Sequence, residues 1–328
     1  MKRNTLLRSA AATLLAACVL PVAAQPAPNA AAGFPARPIR IVVGYAPGGA
    51  NDILARLLAQ KMQEGLGREV VVENKPSTAA IVGSVAVATA APDGYTLLMG
   101  ASGPIVFNPA LYERLPYSPT RDLVPVSLVG TFPLVLSVAA NAPYKSVAEL
   151  AAYTKANPEK SNYGSSAASF RLATELLKNR TGIRADHIPY KGSMESINGV
   201  ASGQLTLTLV DSGPAMGPIK GGLLKGLAVT SPQRIAALPD VPTMAEQGID
   251  LTIQFWSGLL APAGTPRAIV DKLAAEVQRI VRLPDVRERM AALAIDPAGS
   301  TPEEFARVIA SEIPLWAGVA KANNIRAD

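Results

Sequence analysis

The sequence predicts an α/β protein of two lobes, each a mixed sheet flanked by helices. Three observations lead there. Short β-branched runs, turn signals and stretches with a 3.6-residue apolar period alternate along most of the chain. The 328 residues, 49% of them apolar, are enough to fill two cores. A long apolar stretch near the middle, Val124 to Ala140, reads as a strand crossing from one lobe to the other, with Gly130-Thr131-Phe132-Pro133 interrupting it.

The first 24 residues read as an export signal. Lys2, Arg3 and Arg8 form a basic start, an Ala/Leu run follows, and Val22-Ala23-Ala24 offers a cleavage site. Leu15-Ala16-Ala17-Cys18 is an alternative, lipoprotein-type site, but Val19-Leu20-Pro21-Val22 continues the apolar run where a polar tether belongs. Residues 25–33, rich in Ala and Pro, read as a flexible lead-in. Ile39 to Val43 then reads as a buried strand, broken by Pro47-Gly48-Gly49. In the helix that follows, Ile53, Leu54, Leu57, Leu58 and Met62 mark one face, with Asn51 or Asp52 expected as its N-cap.

Glu69 to Asn74 is the next strand, Lys75 to Ala80 a turn, and Ile81 to Ala90 a helix. Pro92-Asp93-Gly94 turns the chain into a strand, Tyr95 to Met99, that ends at Gly100-Ala101-Ser102-Gly103. Beyond the crossing strand come helices at 147–156, 170–178 and 193–201, alternating with strands at 162–164, 187–190 and 205–210. Leu227 to Thr230 returns the chain, Phe255 to Leu260 adds a strand, and amphipathic helices carrying Ile269, Leu273, Val277 and Ile280 cover the first sheet. The division this implies is lobe 1 at 34–126 and 230–328, and lobe 2 at 127–229.

Composition excludes several functions. Cys18 is the only cysteine, so cleavage after Ala24 leaves none for disulfides, thiolate chemistry or metal binding. Beyond the signal, no segment reaches the roughly 18 uncharged apolar residues of a membrane span. The formal charge of +6 drops to +3 once the three signal cations are removed, and the remaining Lys and Arg are dispersed, which gives nucleic-acid binding no support. The single histidine, His187, and the lack of a G-x-S-x-G elbow, a G-x-G-x-x-G loop or a His/Cys cluster speak against a serine triad, dinucleotide or phosphate loops and metal catalysis. No cofactor is expected.

The turn from Tyr45 to Asp52 sits at a strand's carboxyl end, where open α/β sheets place ligands. Gly48 and Gly49 leave N–H groups uncovered and the helix adds its positive end, a setting for a small anion. Asp52 reads as a cap or as a ligand-orienting group. The serines at 165, 166 and 169 read as caps or contacts. Arg171 is a solvated helix residue or a counter-ion, and Asp211 accepts a ligand amine or begins a turn.

Six segments in order, Pro47-Gly48-Gly49-Ala50-Asn51-Asp52, Val72-Glu73-Asn74-Lys75-Pro76, Pro92-Asp93-Gly94-Tyr95-Thr96-Leu97-Leu98, Ile188-Pro189-Tyr190-Lys191-Gly192, Leu238 to Glu246 and Ala261-Pro262-Ala263-Gly264-Thr265-Pro266, resemble the tripartite tricarboxylate transporter substrate-binding family, the Bug-type receptors. The resemblance runs from about Phe34 to Ile325. It implies a monomeric periplasmic receptor of the Venus-flytrap fold that closes on a small organic anion and delivers it to membrane permease subunits. It further implies contacts from Tyr45, Gly48, Gly49, Asp52, Ser77, Thr78, Ala79 and Ser102 in one lobe. In the other lobe they come from Ser165, Ser166, Ser169, Asp211 and Ser212. Two departures stand out: Ser77 to Ala80 replaces a usually glycine-rich turn, where a Cβ narrows the φ > 0 conformations, and Ala167 to Arg171 replaces a glycine-rich run leading to a histidine. An exported hydrolase using cleft carboxylates and a sensory receptor remain as alternatives.

Overall fold

In the computed structural model, which describes residues 33–327, the first strand β1 (Ile39–Val43) is built as its sequence suggests. Ile39, Ile41 and Val43 point into one core cluster and Val42 into the other, the two-residue alternation of a strand covered on both faces. The expected signal, Cys18 and residues 25–32 of the lead-in lie outside the described residues.

Helix α1 (Ala50–Leu66) follows β1 and buries Leu54, Leu58 and Met62, and its left-handed Gly67 ends it. Its N-cap is Gly49 rather than Asn51 or Asp52: the helix begins at Ala50, so both lie inside the first turn, where Asn51 accepts from Ser257 and Asp52 from the Gly48 N–H. Strand β2 (Val70–Asn74) runs parallel to β1, with Ile41 opposite Val72. A tight turn at 78–80 leads into α2 (Ile81–Ala88), and there Ala79 and Ala80 adopt φ of 52° and 58°. Although a Cβ narrows the choice of φ > 0 conformations, both alanines take the left-handed one, at about 1–2 kcal/mol each. Gly44 makes room, since a Cβ there would lie 2.5 Å from that of Ala80. Asn108 holds the turn by donating its amide to the Ala79 carbonyl at 3.0 Å.

Strand β3 (Thr96–Ala101) lies parallel to β1 on its other side. A π-type turn, Gly103–Phe107, runs into the short helix α3 (Asn108–Leu111), neither of which the apolar pattern suggested. Strand β4 (Leu123–Ala139) is continuous for 17 residues; the segment read as an interruption is extended chain, with register shifts nearby between Pro125 and Ser127 and between Leu128 and Gly130.

The next elements are α4 (Val147–Ala156), β5 (Asn162–Ser165), α5 (Ala168–Thr181), β6 (Asp186–Pro189), α6 (Ser193–Ala201) and β7 (Leu207–Asp211). The stretch after β7, for which the sequence suggested no element beyond a turn at Asp211, is helix α7 (Ser212–Lys220), followed by β8 (Leu224–Val229), β9 (Gln254–Pro262), α8 (Arg267–Ile280), α9 (Pro284–Ala292), the two-residue β10 (Asp296–Pro297) and α10 (Pro302–Ala322). The strand order is β2-β1-β3-β9-β4-β7-β5-β6, with β8 and β10 also paired to β4.

Strand β4 pairs antiparallel with β9 as far as Pro133, and from Leu134 onward with β7 and β8. It is the one strand shared by two mixed sheets, which gives the molecule its two-lobed form. On α8, Ile269, Leu273, Val277 and Ile280 are buried against the first sheet, each contributing about 1.5–3 kcal/mol. Helix α10 behaves differently: Phe305, Ile309 and Trp316 join the cluster that also contains Phe107 and, on α5, Phe170. It therefore braces both lobes, and its capping box at Thr301 and Glu304 fixes its start.

Candidate functional site

Between the lobes lies a cavity of about 520 Å³. Tyr45, Gly49, Ala50 and Asn51 form one wall, with Ser102 and Gly103 after β3 and Trp256 and Ser257 of β9. Facing them are Ala167, Ser169 and Phe170 at the start of α5, and Asp211 to Pro214 where β7 gives way to α7. Phe132, Phe255, Leu293 and Ala294 complete the lining.

Three helices, α1, α5 and α7, begin at this space. The first N–H groups of a helix have no acceptor within it. At each of these three the capping residue, Gly49, Ala167 or Asp211, provides no side-chain cap bond. Positive dipole ends from both lobes therefore converge with exposed N–H donors, an arrangement that holds carboxylates or phosphates without a charged side chain.

Around this anion-seeking centre most groups are engaged. Asn51, buried, accepts a hydrogen bond from the Ser257 hydroxyl and ties the first turn of α1 to β9. Ser102, also buried, accepts from the Trp256 N–H at 3.5 Å. The Trp256 indole donates to Glu312 at 3.2 Å, and Trp316 donates to the same oxygen at 3.4 Å. Burial pushes the Glu312 carboxyl up to about 7 despite these two donors. Burial also raises the Tyr45 phenol, which stays protonated at all ordinary pH.

Asp211 differs from these bonded groups. It is half-buried at the end of β7, and burial pushes its carboxyl up to about 6, offset only slightly by its own main-chain N–H. No Lys, Arg or His is among the described residues that line the cavity.

The structure brings together Tyr45, Gly49, Ser102, Ser169, Asp211 and Ser212 of the residues expected from sequence. It does not bring Gly48 and Asp52 to the cavity. The Asp52 carboxylate is buried and accepts from the Gly48 N–H at 2.9 Å, Arg56 Nε at 3.0 Å and the Asn74 amide at 2.8 Å. Burial alone would raise this carboxyl, but the three donors hold it down at about 2. The Gly48 N–H, expected to be open to a ligand, is spent on Asp52.

Ser77, Thr78 and Ala79 do not line the cavity either; the Ser77 hydroxyl accepts from the Val82 N–H at 2.9 Å. Ser165 and Ser166 open instead into a neighbouring hollow of about 210 Å³, with Arg171, His187, Tyr190 and Arg326. There Ser165 Oγ lies 2.7 Å from His187 Nε2 and Ser166 Oγ 3.3 Å from Ser193 Oγ. Burial, then the nearby Arg171, keep the His187 ring below the usual imidazole range.

Sequence reasoning missed Ala50, Asn51, the Gly213-Pro214 start of α7 and the aromatic lining. Three of the chain's six phenylalanines and one of its two tryptophans line this cavity. In a chain only 5% aromatic, clustering near strand and helix ends was the available signal. Phe255 packs edge-on against Phe107 and at a tilt against Phe170, each at 5.1 Å between ring centroids, so the rings also join the two lobes.

Residues 54–325 match the family model described as tripartite tricarboxylate transporter family receptor. The chain is 36% identical to the protein BugT of Bordetella pertussis over 299 residues, 90% of this chain and 92% of the relative. Among solved structures, R. palustris Rpa4515 with adipate superposes with a TM-score of 0.76 at 32% identity, covering 89% of this chain and 99% of that one. MatC (Rpa3494) from Rhodopseudomonas palustris with bound malate gives 0.71 at 30% identity, with 87% and 99% covered.

Proposed function

Since the chain belongs to the tripartite tricarboxylate transporter receptor family, we propose that it is an extracytoplasmic solute receptor whose interlobe cavity captures a small organic acid by its carboxylate. The observation that carries this reading is the convergence of side-chain-uncapped helix N-termini from both lobes, those of α1 and α5, on one cavity. Gly49, Ala50 and Ser169 would present N–H groups to the carboxylate. Ser102, Ser212 and Tyr45 would add hydroxyls, and the four aromatic side chains would exclude water around its carbon body. The adipate and malate bound by the two Rhodopseudomonas relatives fit the same chemistry.

The sheet that β4 forms with β7 and β8 from Leu134 onward would move against the sheet it forms with β9 up to Pro133, hinged where β4 changes partners between these two residues. Residues 1–24 would direct export to the periplasm, with cleavage after Ala24 preferred to a lipid anchor at Cys18. A monomeric closed form would present the acid to membrane permease subunits of a tripartite transporter.

A thermal-shift screen of mono-, di- and tricarboxylates, amino acids and aromatic acids tests the reading. A true ligand at one hundred times its Kd stabilises by about 2.7 kcal/mol. Gly213→Phe, which fills the cavity from the α7 side, is expected to abolish that shift while leaving the melting temperature without ligand near that of the wild type. No shift with any acid, or an equal shift in the plugged variant, overturns it.

A further inference from the structure

The charges of the cavity wall are unbalanced in a way that restricts the ligand. Asp211 is the single acidic side chain among the described lining residues, and no cation lies opposite it. Arg171, the nearest candidate by sequence, belongs to the neighbouring hollow. Asp211 also stands at the N-terminal end of α7, so its negative charge already occupies that helix's positive end. The Asp52 carboxylate in the first turn of α1 is already paired with Arg56, so the ends of α1 and α5 remain for one ligand carboxylate. A second carboxylate would enter an apolar space beside Asp211 with nothing to neutralise either group.

We infer that this receptor selects zwitterions: one carboxylate held at the α1 and α5 ends, a cationic nitrogen paired with Asp211, and an apolar body between them against Phe132, Phe170 and Phe255. The inference rests on the receptor reading above and names the ligand class for that same cavity. Burial holds the free Asp211 carboxyl near 6, so around neutral pH it is mostly ionised yet poorly solvated. A cation from the ligand relieves that cost directly. The aromatic faces favour a cationic nitrogen as well.

Titration calorimetry at pH 7.5 on the purified protein decides it with two sets matched in shape: 6-aminohexanoate, hexanoate and adipate, and phenylalanine against 3-phenylpropanoate. In at least one set the zwitterion is expected to bind at least tenfold more tightly than its partners. Asp211→Asn is expected to reduce that ratio to within about threefold, and Asp211→Glu to retain most of it. Adipate or a plain acid binding as tightly as the zwitterion, or an unchanged ratio in Asp211→Asn, overturns the inference and leaves the receptor reading standing. Should Asp211→Asn not fold, the wild-type ranking and Asp211→Glu decide alone. Failure of every acid in these sets and in the wider screen overturns both.

Discussion

Two aspartates occupy equivalent places in the two lobes and have opposite fates. Asp52 follows β1 in the first turn of α1; Asp211 ends β7 at the start of α7. Asp211 lines the interlobe cavity, whereas Asp52 is buried inside the first turn of its helix and does not reach it. Asp52 is surrounded by donors from Gly48, Arg56 and Asn74 and is held down at about 2, whereas burial without a cationic partner pushes Asp211 up to about 6. The first is a structural clamp that shapes its turn. The second is an unsatisfied charge exposed to whatever enters the cavity. Topological position alone therefore does not assign a role; the donors within reach do.

Removing the clamp should cost the protein most. Asp52→Ala strands the Gly48 N–H, the Asn74 amide and Arg56 together, and should destabilise the protein by about 3 kcal/mol in urea unfolding at pH 7. The same clamp sets a pH signature. Because the folded pKa lies below the unfolded value near 4, its stabilisation is complete above that value and is lost as pH falls toward 2.

Asp211 should do the reverse. Its folded pKa lies above the unfolded one, so the stability it contributes is complete below about pH 4 and lost as pH rises through 6. Asp211→Asn should match the wild type in urea at pH 3.5 and exceed it by about 3 kcal/mol at pH 8. If the two substitutions shift stability in the same direction at pH 8, the contrast between the lobes is wrong.

A smaller effect sharpens the comparison. Asn74 donates to both the Tyr45 carbonyl, at 3.1 Å, and Asp52, and among the described residues Asp211 has no such neighbour. Asn74→Ala should cost about 1 kcal/mol by urea unfolding, and should leave the pH 3.5-to-8 difference attributable to Asp211 unchanged.

Most of the fold was legible in the sequence because it is written in local patterns. The β-branched run of β1, the α1 face at Leu54, Leu58 and Met62 and the α8 face from Ile269 to Ile280 all appear where their periods place them. Helix α7 escaped because Gly213, Pro214 and Pro218 carry turn chemistry; yet Pro214 lies in the first turn, where its missing N–H costs little, and Pro218 comes close to the helix end. The π-type turn before α3 left no periodic trace.

The site was only half legible. Tyr45, Gly49, Ser102, Ser169, Asp211 and Ser212 stand at element ends that any reader would inspect. That Asp52 turns inward, that Ser165 faces His187, and that Phe132, Phe170 and Phe255 share one cavity depend on long-range packing. Asp52 and Asp211 look alike in sequence because the donors that separate them include Asn74, 22 residues away on another strand.

Strand β4 makes the lobes inseparable in a mechanical sense as well. Its 17 residues supply ladder bonds to β9 and β10 in one sheet and to β7 and β8 in the other, so a rupture that begins in either sheet strips partners from the same continuous backbone. Heating should accordingly melt the molecule in one cooperative step, and the flexing that admits a ligand must be achieved by twisting this ribbon, without parting it.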